Sequence, residues 1–414
     1  MRILVVNQHY WPELAATAQL LADLCEDLAA AGHEVTVIAG QPAYRSSGGG
    51  FERLPAREEH RGVRIRRVSA YAPLRRTIGR RLLHYGSFFL LSQLEALRLP
   101  RFDVALVLST PPLLLGLEGG LLELLRGTPF VYSVQDLYPD IALKLGVLRP
   151  GPLAGGLGRI ADHLYGRATR LVALSRGMAA RLEAKGVERR RIAVIPNWAD
   201  TEQLRPLEGP SPFAVEHGLQ GRFVVLYSGN VGMSQGLERL PEVAERLVDR
   251  PIDVVVVGDG NARPGLEREV RARGLKNVRL LPPQPRSRLS EVLATGDLGL
   301  VTMRGGLDAE LVPSKLYGIM AAGRATLAAV GDTTEVARVL REHDCGLLVP
   351  PDDPAALAAA IRRAFEERER LAELGHRARA ACEREFSRKA CTAAYRDLLE
   401  AAAAEGGRDG RAPG

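Results

Sequence analysis

The stretch FVVLYSGNVGMSQG, Phe223 to Gly236, decides the fold of this chain. A run of β-branched and aromatic residues ends there in a glycine-rich turn, which is typical of the start of a β-α unit. The same pattern occurs near the beginning, where RILVVN (Arg2–Asn7) and EVTVIAG (Glu34–Gly40) flank a helix-period segment from Ala15 to Ala31. Strands that alternate with helices predict parallel sheets covered by helices on both faces.

A Pro- and Gly-rich stretch near residues 200–215 interrupts this pattern, and FVVLYSG restarts it. The 414 residues also exceed what one hydrophobic core usually organises. We therefore predict an α/β protein with two doubly wound, Rossmann-like domains, over residues 1–204 and 205–385. Residues 386–404 are expected to form a C-terminal helix that packs back toward the first domain. The polar, Gly-rich residues 405–414 are expected to form a disordered tail.

Charge and cysteine content exclude several classes of protein. The net charge is +7, but the arginines alternate with glutamates along predicted helices such as RRAFEERERLAELGHRARA, a pattern typical of solvated helix faces and not of a nucleic-acid site. No signal peptide precedes the first strand, so we expect a cytoplasmic protein. No C-x-x-C pair occurs among the four cysteines, which argues against a structural zinc site. They are Cys25, Cys345, Cys382 and Cys391.

Open parallel sheets bind ligands beyond the carboxyl ends of their strands, so the turns at those ends are the candidate sites. Three of them lie in the second half: residues 228–236, 258–265 and 312–315. The last contains Lys315, one of only five lysines, after Ser314 as a predicted helix N-cap. A lysine in the first turn is unfavourable to the helix dipole, and a bound phosphate would explain it; a solvated lysine without a ligand is the other interpretation. Gly323 is the predicted end of this helix.

The turn after the first strand, NQHYWPELAATA, contains no glycine. A nicotinamide-binding Rossmann domain needs G-x-G-x-x-G at that place. The dehydrogenase class is therefore not favoured.

Several segments together resemble the family-4 retaining glycosyltransferases with the GT-B fold, over residues 1–390. They are GHEVTVIAG, VQDLYPD, VIPNWAD, LYSGNVGMSQGLERL, VVVGDG and ELVPSKLYGIMAAG. More narrowly, NQHYWPE, RRLLHYGSFFLL and LSTPPLLLG resemble the subgroup related to bacterial fucosamine transferases of O-antigen and capsule synthesis. The resemblance implies two Rossmann-like domains facing each other across a cleft. It implies transfer of a sugar, such as the amino-deoxy sugar N-acetylfucosamine, from a UDP-sugar to a lipid-linked glycan, with retention and without a metal or other cofactor.

Without a metal, the leaving diphosphate has to be stabilised by amides and a cation, and the resemblance assigns this role to Lys315. The family's E-x7-E pattern begins at Glu310 but reaches Gly318, so the second carboxylate, which grips the ribose in relatives, is missing. Asn230 and Gln235 stand where relatives have Arg and Lys, so Arg304 or Arg286 is a candidate second cation.

The resemblance assigns the site residues by role. Catalytic residues are Glu310, Lys315 and Asp136; diphosphate-binding residues are Gly229, Asn230, Gly232, Gln235, Ser314 and Lys315; nucleoside-binding residues are Gly258, Gln284, Arg286 and Gly318; acceptor- or sugar-side residues are Trp11, Glu13 and Gln135. Gln135 stands where many relatives have His, and Asp136 either orients a hydroxyl or caps a turn. Trp11 either stacks on a sugar or packs internally.

Residues 82–99 form an amphipathic segment that is interrupted by charge, so it does not predict a membrane span. A helical wheel puts Leu82, Leu83, Phe89, Leu90, Leu94 and Leu97 on one face and His84, Ser87, Glu95 and Arg98 on the other. The segment follows Arg75, Arg76, Arg80 and Arg81. It is expected either to lie on the inner face of the cytoplasmic membrane, near a polyprenyl-diphosphate-linked acceptor, or to be an ordinary helix that packs on the first domain's sheet and follows a solvated arginine cluster.

Two other functions stay open. A non-hydrolysing nucleotide-sugar epimerase shares this architecture, but it needs acid/base groups that Gln135 does not supply. A catalytically silent partner subunit that binds a nucleotide sugar would be compatible with the missing second glutamate.

Overall fold

The computed structural model describes residues 1–13, 15–42, 53–71, 78–111, 113–144, 146–306 and 313–409. The chain divides into two compact units: unit 1 is Met1–Pro196 with Cys391–Gly414, and unit 2 is Asn197–Ala390. Each unit contains one predominantly or wholly parallel sheet with helices between its strands. The predicted fold class, two Rossmann-like α/β domains, is confirmed.

Within the described residues, unit 1 has one eight-stranded sheet. Its strands are β1 (Arg2–Val6), β2 (Glu34–Gly40), β3 (Arg57–His60), β4 (Val63–Val68), β5 (Val104–Leu108), β6 (Phe130–Val134), β7 (Arg170–Ala173) and β8 (Ile192–Val194). Their order across the sheet is β3-β4-β2-β1-β5-β6-β7-β8, and only the edge strand β3 runs antiparallel to its neighbour. The carboxyl ends of β1, β5 and β6 therefore meet at one edge.

Helices cover this sheet. They are α1 (Ala16–Ala30), α2 (Ile78–Arg98), α3 (Leu114–Arg126), α4 (Asp140–Lys144), α5 (Pro152–Arg167), α6 (Arg176–Ala184) and the C-terminal α15 (Arg388–Asp409). The strands β5 and β6 are buried along their whole length, as expected of parallel strands covered on both faces.

Unit 2 has a six-stranded sheet among its described residues, with the order β11-β10-β9-β12-β13-β14 and all pairs parallel. Its strands are β9 (Phe223–Ser228), β10 (Ile252–Val257), β11 (Val278–Leu281), β12 (Leu298–Thr302), β13 (Ala325–Ala329) and β14 (Gly346–Val349). Its helices are α7 (Pro212–Glu216), α8 (Leu240–Glu245), α9 (Arg263–Ala272), α10 (Leu289–Thr295), α11 (Lys315–Ala321), α12 (Glu335–Glu342), α13 (Pro354–Glu366) and α14 (Arg368–Glu385).

The short helix α11 lies directly on β12, and a glycine allows this. A Cβ on Gly299 would come within 2.4 Å of Ile319 Cγ2, so a larger residue in the strand would push the helix away. Gly323 ends the helix as predicted: its φ is +66°, and Gly323 and Arg324 donate to the carbonyls of Met320 and Ile319 in a Schellman arrangement. The position of Lys315, the first residue of α11, is thereby fixed.

The boundary between the units lies upstream of the predicted 204/205. Residues from Asn197 onward group with unit 2 because they bond to the region around α14. Ala199 bridges to Ser387, and Arg379 donates to the carbonyls of Leu204 and Thr201 at 2.6 and 2.8 Å. The Pro- and Gly-rich stretch that suggested the boundary follows these anchored residues.

The C-terminal helix α15 packs on unit 1 through polar contacts. Tyr395 Oη lies 3.0 Å from Ser133 Oγ, and Thr392 donates to Asp27 at 2.9 Å. The helix continues to Asp409, so the tail predicted to begin at residue 405 is wrong for residues 405–409. Glu405 is bound there by Arg170, which explains why the helix continues past the predicted end. Residues 410–414 of the predicted tail lie outside the described residues.

Helix α2 buries a face that contains polar residues and exposes most of its leucines. Phe88, Ser92, Gln93 and Ala96 are buried. Leu82 and Leu90, by contrast, are 65% and 62% exposed. The helix contacts β2 and β4, so it packs on the first sheet as the second interpretation predicts, with most of its leucines on the outside. Ser92 donates instead to Glu118 of α3 at 2.8 Å, and burial raises the pKa of that carboxyl to about 8.

Candidate functional site

The ammonium of Lys315 faces the end of β9 in unit 2. Its Nζ donates to Tyr227 Oη at 2.7 Å and lies 4.2 Å from the centre of the Tyr227 ring. Tyr227 Oη in turn donates to the carbonyl oxygen of Asn230 at 2.6 Å. Gly229 lies against the lysine stem, because a Cβ added there would be 3.4 Å from Lys315 Cε. Lysine, tyrosine and glycine turn therefore form one cluster.

The charge of Lys315 is poorly solvated. The side chain is only partly exposed, and burial lowers the pKa of its ammonium to about 7. No carboxylate among the described residues pairs with it. Of the two interpretations of this lysine, the solvated surface residue is therefore wrong; it is a desolvated cation without an anionic partner in the described part of the chain.

The turn after β9 is built to bring backbone close to this cation. Asn230, Gly232 and Gln235 converge, since a Cβ on Gly232 would be 2.7 Å from both Asn230 Nδ2 and Gln235 Oε1. The turn is held by Gly229 and Val231, whose amides donate to Val257 and Asp259. The amides of Asn230 and Gly232 donate to no described group. Two backbone donors thus lie close in sequence to the residues that contact the lysine.

Gly258 and Gly260 support this turn from the neighbouring strand end. A Cβ on Gly258 would lie 1.9 Å from the carbonyl oxygen of Gly229, and one on Gly260 would lie 2.4 Å from that of Val231. Only glycine allows these two loops to touch. Gly258 therefore packs one loop against the other, and its assignment to nucleoside binding stays a prediction.

A small pocket of unit 2 opens beside the same turn. Gln235, Arg239, Thr302 and Asp352 are among the residues that line it. Gln235 Oε1 and Thr302 Oγ1 are buried and have no hydrogen-bond partner among the described residues. Both oxygens therefore keep unused hydrogen-bonding capacity beside this pocket.

The remaining residues predicted to bind the donor lie in different environments. Ser314 holds the N-cap position of α11 as predicted, but its backbone is already helical and its side chain makes no capping bond. The guanidinium of Arg304 is paired with Glu238 at 3.0 and 2.5 Å, and its role as a second cation stays a prediction. Arg286 lies in the short turn before α10 and has partners of its own. Glu310 lies outside the described residues.

Gln284 lies in the loop before α10 and Gly318 lies on α11, and their assignment to the nucleoside stays a prediction. Gln284 Nε2 donates to the carbonyl of Pro282 at 3.1 Å and Gln284 Oε1 lies 3.4 Å from Arg288, so the loop side chain is held locally. Gly318 lies on α11, and a Cβ there would make an ordinary contact of 3.5 Å with Leu293. The helix therefore has room for a side chain at the position of the missing glutamate.

Asp136 follows β6 at the carboxyl edge of the first sheet. Burial raises the pKa of its carboxyl to about 6, and no described group caps or pairs with the carboxylate. The turn-cap interpretation of Asp136 is therefore not supported. Gln135 donates through its backbone to Ser109 Oγ at 2.8 Å and through its side chain to Ser133 at 3.0 Å.

In the turn after β1, Glu13 is not placed as predicted for a residue that contacts a sugar. Glu13 is only 3% exposed, and its carboxylate lies 2.5 Å from His9 Nδ1, so it does not present itself to a sugar as predicted. The ring of Trp11 stacks on His60 with centroids 3.9 Å apart, which occupies one face of the indole. Asn7 and Gln8 are buried at the end of the same strand.

Three participants were missed by sequence reasoning. Tyr227 was assigned only to a strand, and His9 and Ser109 lie in the quoted segments NQHYWPE and LSTPPLLLG without having been given a role. Of these, Tyr227 carried a usable signal, because it is a polar-tipped aromatic directly before the glycine turn.

Two α/β units with polar groups gathered at the carboxyl edge of each parallel sheet define the GT-B class. Comparison with known families agrees. Residues 16–198 match the glycosyl transferase 4-like domain, and residues 213–381 match the glycosyl transferases group 1 domain.

Two relatives extend the match over most of the chain. "Putative colanic acid biosynthesis glycosyl transferase WcaI" of Escherichia coli is 30% identical over 378 residues, which cover 88% of this chain and 92% of the relative. "Probable glycosyltransferase WbjE" of Pseudomonas aeruginosa is 31% identical over 69% of this chain and 72% of its own length. The chain belongs to this glycosyltransferase family and is a glycosyltransferase.

Solved structures agree on the fold. Sucrose-phosphate synthase from Thermosynechococcus elongatus matches with a TM-score of 0.78 and 18% identity, over 97% of this chain and 100% of that one. Anabaena HepE, solved in complex with UDP and glucose, matches with a TM-score of 0.71 and 18% identity, over 97% of this chain and 100% of that one. Among the described helices, none has the length and apolar character that would let it cross a bilayer.

Proposed function

We propose that this glycosyltransferase moves a sugar, an amino-deoxy sugar such as N-acetylfucosamine, from a UDP-sugar to a lipid-linked glycan in cell-surface polysaccharide synthesis. The observation that carries the proposal is the desolvated ammonium of Lys315, which pairs with no carboxylate of the described residues, beside the glycine turn of Gly229. The colanic acid relative supports the polysaccharide context, and the UDP complex of HepE supports the nucleotide.

In this proposal the donor diphosphate lies against Lys315 and the turn Gly229–Gln235. The amides of Asn230 and Gly232, which donate to no described group, would donate to its oxygens, and the ammonium neutralises the charge that builds up as the bond from the sugar to the phosphate breaks. A bound diphosphate would give Lys315 the counter-charge that the described residues do not provide. These donors serve the role that a divalent metal serves in other transferases, so the reaction proceeds without one.

Retention follows in this proposal from transfer on one face of the sugar. The departing phosphate oxygen accepts the proton of the acceptor hydroxyl, the new glycosidic bond forms, and the bond to the phosphate breaks. A strong protein base is then unnecessary. Asp136, which is partly exposed and has no described partner, orients a hydroxyl of the acceptor or the sugar.

The acceptor's lipid gives the exposed leucines of α2 a function. Leu82, Leu83, Leu90 and Leu94 face outward while polar Ser92 and Gln93 are buried, which places the apolar face of this helix on the surface of unit 1. Arg80 precedes them and is exposed. An amphipathic helix with basic residues at one end suits the surface of an anionic membrane, where a polyprenyl-linked acceptor would be found.

Release of UDP from UDP-sugars tests the proposed function. The protein is incubated without acceptor with UDP-glucose, UDP-N-acetylglucosamine and UDP-N-acetylfucosamine, and free UDP is measured over hours. Slow hydrolysis of at least one donor, fastest for an amino-deoxy sugar and lost in Lys315→Ala, is expected. UDP binding without hydrolysis of any donor, with or without acceptor, would favour the catalytically silent subunit.

A further inference from the structure

A hydroxyl group of the C-terminal helix lies at the end of β6, close to Gln135. Tyr395 of α15 is buried, and its Oη lies 3.0 Å from Ser133 Oγ. Ser133 is buried as well, and Gln135 Nε2 donates to its Oγ at 3.0 Å. Tyr395, Ser133 and the side chain of Gln135 therefore form one series of hydrogen bonds that ends at the carboxyl edge of the first sheet.

The backbone of Gln135 is held separately from its side chain. Its amide donates to Ser109 Oγ at 2.8 Å, and the amide of Ser109 donates to the carbonyl of Ser133 at 3.0 Å. Gln135 is partly exposed, and no described residue donates to its Oε1. With the backbone fixed, the orientation of the carboxamide decides whether a ligand meets the acceptor Oε1 or the donor Nε2.

The proton of Ser133 selects one of these two orientations. A serine hydroxyl both donates and accepts, so on its own it could bind either end of a carboxamide. In the part of the chain that the structure describes, Ser133 Oγ makes hydrogen bonds only with Tyr395 Oη and Gln135 Nε2. An amide nitrogen does not accept, and a buried proton without an acceptor is costly, so Ser133 donates to Tyr395. Ser133 can then only accept from Gln135, which keeps Nε2 inside and Oε1 outside.

We propose that Tyr395, acting through Ser133, sets Gln135 Oε1 as the acceptor of a hydrogen bond from a hydroxyl or amide N–H of a sugar substrate. This inference rests on the proposed function, because the sugar is either the one that is transferred or the one that receives it. Tyr395 and Ser133 are positioning residues, which act through the carboxamide that the ligand contacts. The part of α15 that belongs to unit 1 thereby contributes to sugar recognition.

Tyr395→Phe tests this series of hydrogen bonds because it removes only the oxygen of a buried ring. The proton of Ser133 then has Gln135 Oε1 as its remaining acceptor, so the carboxamide turns over and presents Nε2, a donor, to the ligand. Adding Ser133→Ala removes that proton and lets the carboxamide take either orientation. The double variant should therefore use its substrate better than Tyr395→Phe alone. A purely structural role predicts no such recovery, because the double variant loses both hydrogen bonds.

Two kinetic assays separate the two sources of the sugar group. The donor KM comes from hydrolysis, without acceptor, of whichever of UDP-glucose, UDP-N-acetylglucosamine and UDP-N-acetylfucosamine wild type uses best. The acceptor KM comes from transfer to farnesyl diphosphates that carry glucose, galactose, N-acetylglucosamine or N-acetylgalactosamine. In one of the two assays we expect Tyr395→Phe to raise KM about tenfold, the loss of one hydrogen bond, and the double variant to raise it roughly threefold.

Tyr132→Phe is the matched control, since it removes the hydroxyl of another buried tyrosine next to Ser133 in sequence. Its ring faces α3, because a Cβ on Gly116 would lie 3.1 Å from Tyr132 Cζ. Both KM values should stay at the wild-type level in this variant. UDP, which carries no sugar, should bind to wild type and all variants with equal affinity.

Wild-type values of both KM in Tyr395→Phe would overturn the inference, as would a double variant that performs no better than Tyr395→Phe. An unchanged donor KM together with no transfer to any of the four lipids also counts against it. In each of these cases the proposed function stands as long as wild type hydrolyses a UDP-sugar. Absence of donor hydrolysis and of UDP binding in wild type would contradict the proposed function itself.

Discussion

The ammonium of Lys315 and the phenol of Tyr227 form a hydrogen bond of 2.7 Å across 88 residues of sequence. Tyr227 passes the bond on to the Asn230 carbonyl, which ties the lysine to the glycine turn that follows β9. The arrangement gives the lysine a neutral partner and no described counter-charge. An ammonium in this environment would be stabilised by a bound anion.

UDP affinity is expected to fall as the pH rises above about 7. Burial lowers the pKa of the free Lys315 ammonium to about 7. A bound diphosphate favours the charged form and raises this pKa, so a proton is taken up on binding, and Kd rises by up to about tenfold per pH unit above 7. Calorimetric titrations between pH 7 and 9 measure this slope.

Variants at the same contact serve as its controls. Lys315→Met and Lys315→Arg should both bind UDP without this slope, since neither side chain changes charge in the window. Tyr227→Phe removes the oxygen that receives the lysine proton, so its slope should begin at lower pH. A wild-type Kd that is flat from pH 7 to 9 would contradict the assignment of Lys315 to the diphosphate.

Asp136→Asn is expected to reduce kcat less than Lys315→Ala does. Removing a group that stabilises charge in the transition state costs about 10² to 10³ in kcat, whereas loss of an orienting carboxylate should cost on the order of tenfold. Because burial raises the pKa of Asp136 to about 6, wild-type activity should also decline below pH 6, and the Asn variant should not. Equal kcat values for the two variants would mean that Asp136 takes part in the chemistry.

Gly318→Glu is expected to tighten UDP binding by about tenfold, the contribution of one charge-assisted hydrogen bond to the ribose. The position has room, since a Cβ there meets Leu293 at 3.5 Å. Gly318→Ala is the control, because it removes the helix-destabilising glycine without adding a carboxylate. Equal affinities of the Glu and Ala variants would show that the nucleoside does not pass over this face of α11.

A triple variant that combines Leu82→Gln, Leu83→Gln and Leu90→Gln should bind more weakly to vesicles of phosphatidylglycerol. All three side chains are more than half exposed, so the free energy of unfolding should change little. Co-sedimentation measures binding, and Val248→Gln, an equally exposed residue of unit 2, is the control. Sedimentation that is unchanged in the triple variant, and also when Arg75, Arg76, Arg80 and Arg81 are replaced by Gln, would remove α2 from the acceptor model.

The sequence predicts most of the fold because its signals are local. Runs such as VALVL and IDVVVV become fully buried parallel strands, and Gly323 ends α11 where its backbone requirement predicts. The β3–β4 pair was not predicted, since its charged segment REEH lacks the apolar alternation of a strand.

The site was predicted less completely because its decisive contacts join distant residues. The glycine turn and Lys315 were identified from strand-end position, but the partner of the lysine, Tyr227, depends on how α11 packs on β12. The orientation of α2 was also beyond a helical wheel, which shows that a helix has two faces and not which one is buried. Nothing in the sequence around Glu13 indicates that its carboxylate is buried against His9 and not exposed on the surface.

Thermal unfolding with nucleotides tests most directly whether Lys315 holds the donor diphosphate. Wild type, Lys315→Ala and the exposed-lysine control Lys276→Ala are melted with UDP, GDP and ADP at about 100 times Kd, where binding stabilises by about 2.7 kcal/mol. The account predicts a UDP-selective shift in wild type and in Lys276→Ala that is lost in Lys315→Ala. An equal shift in all three proteins, or no shift with any nucleoside diphosphate, would contradict it.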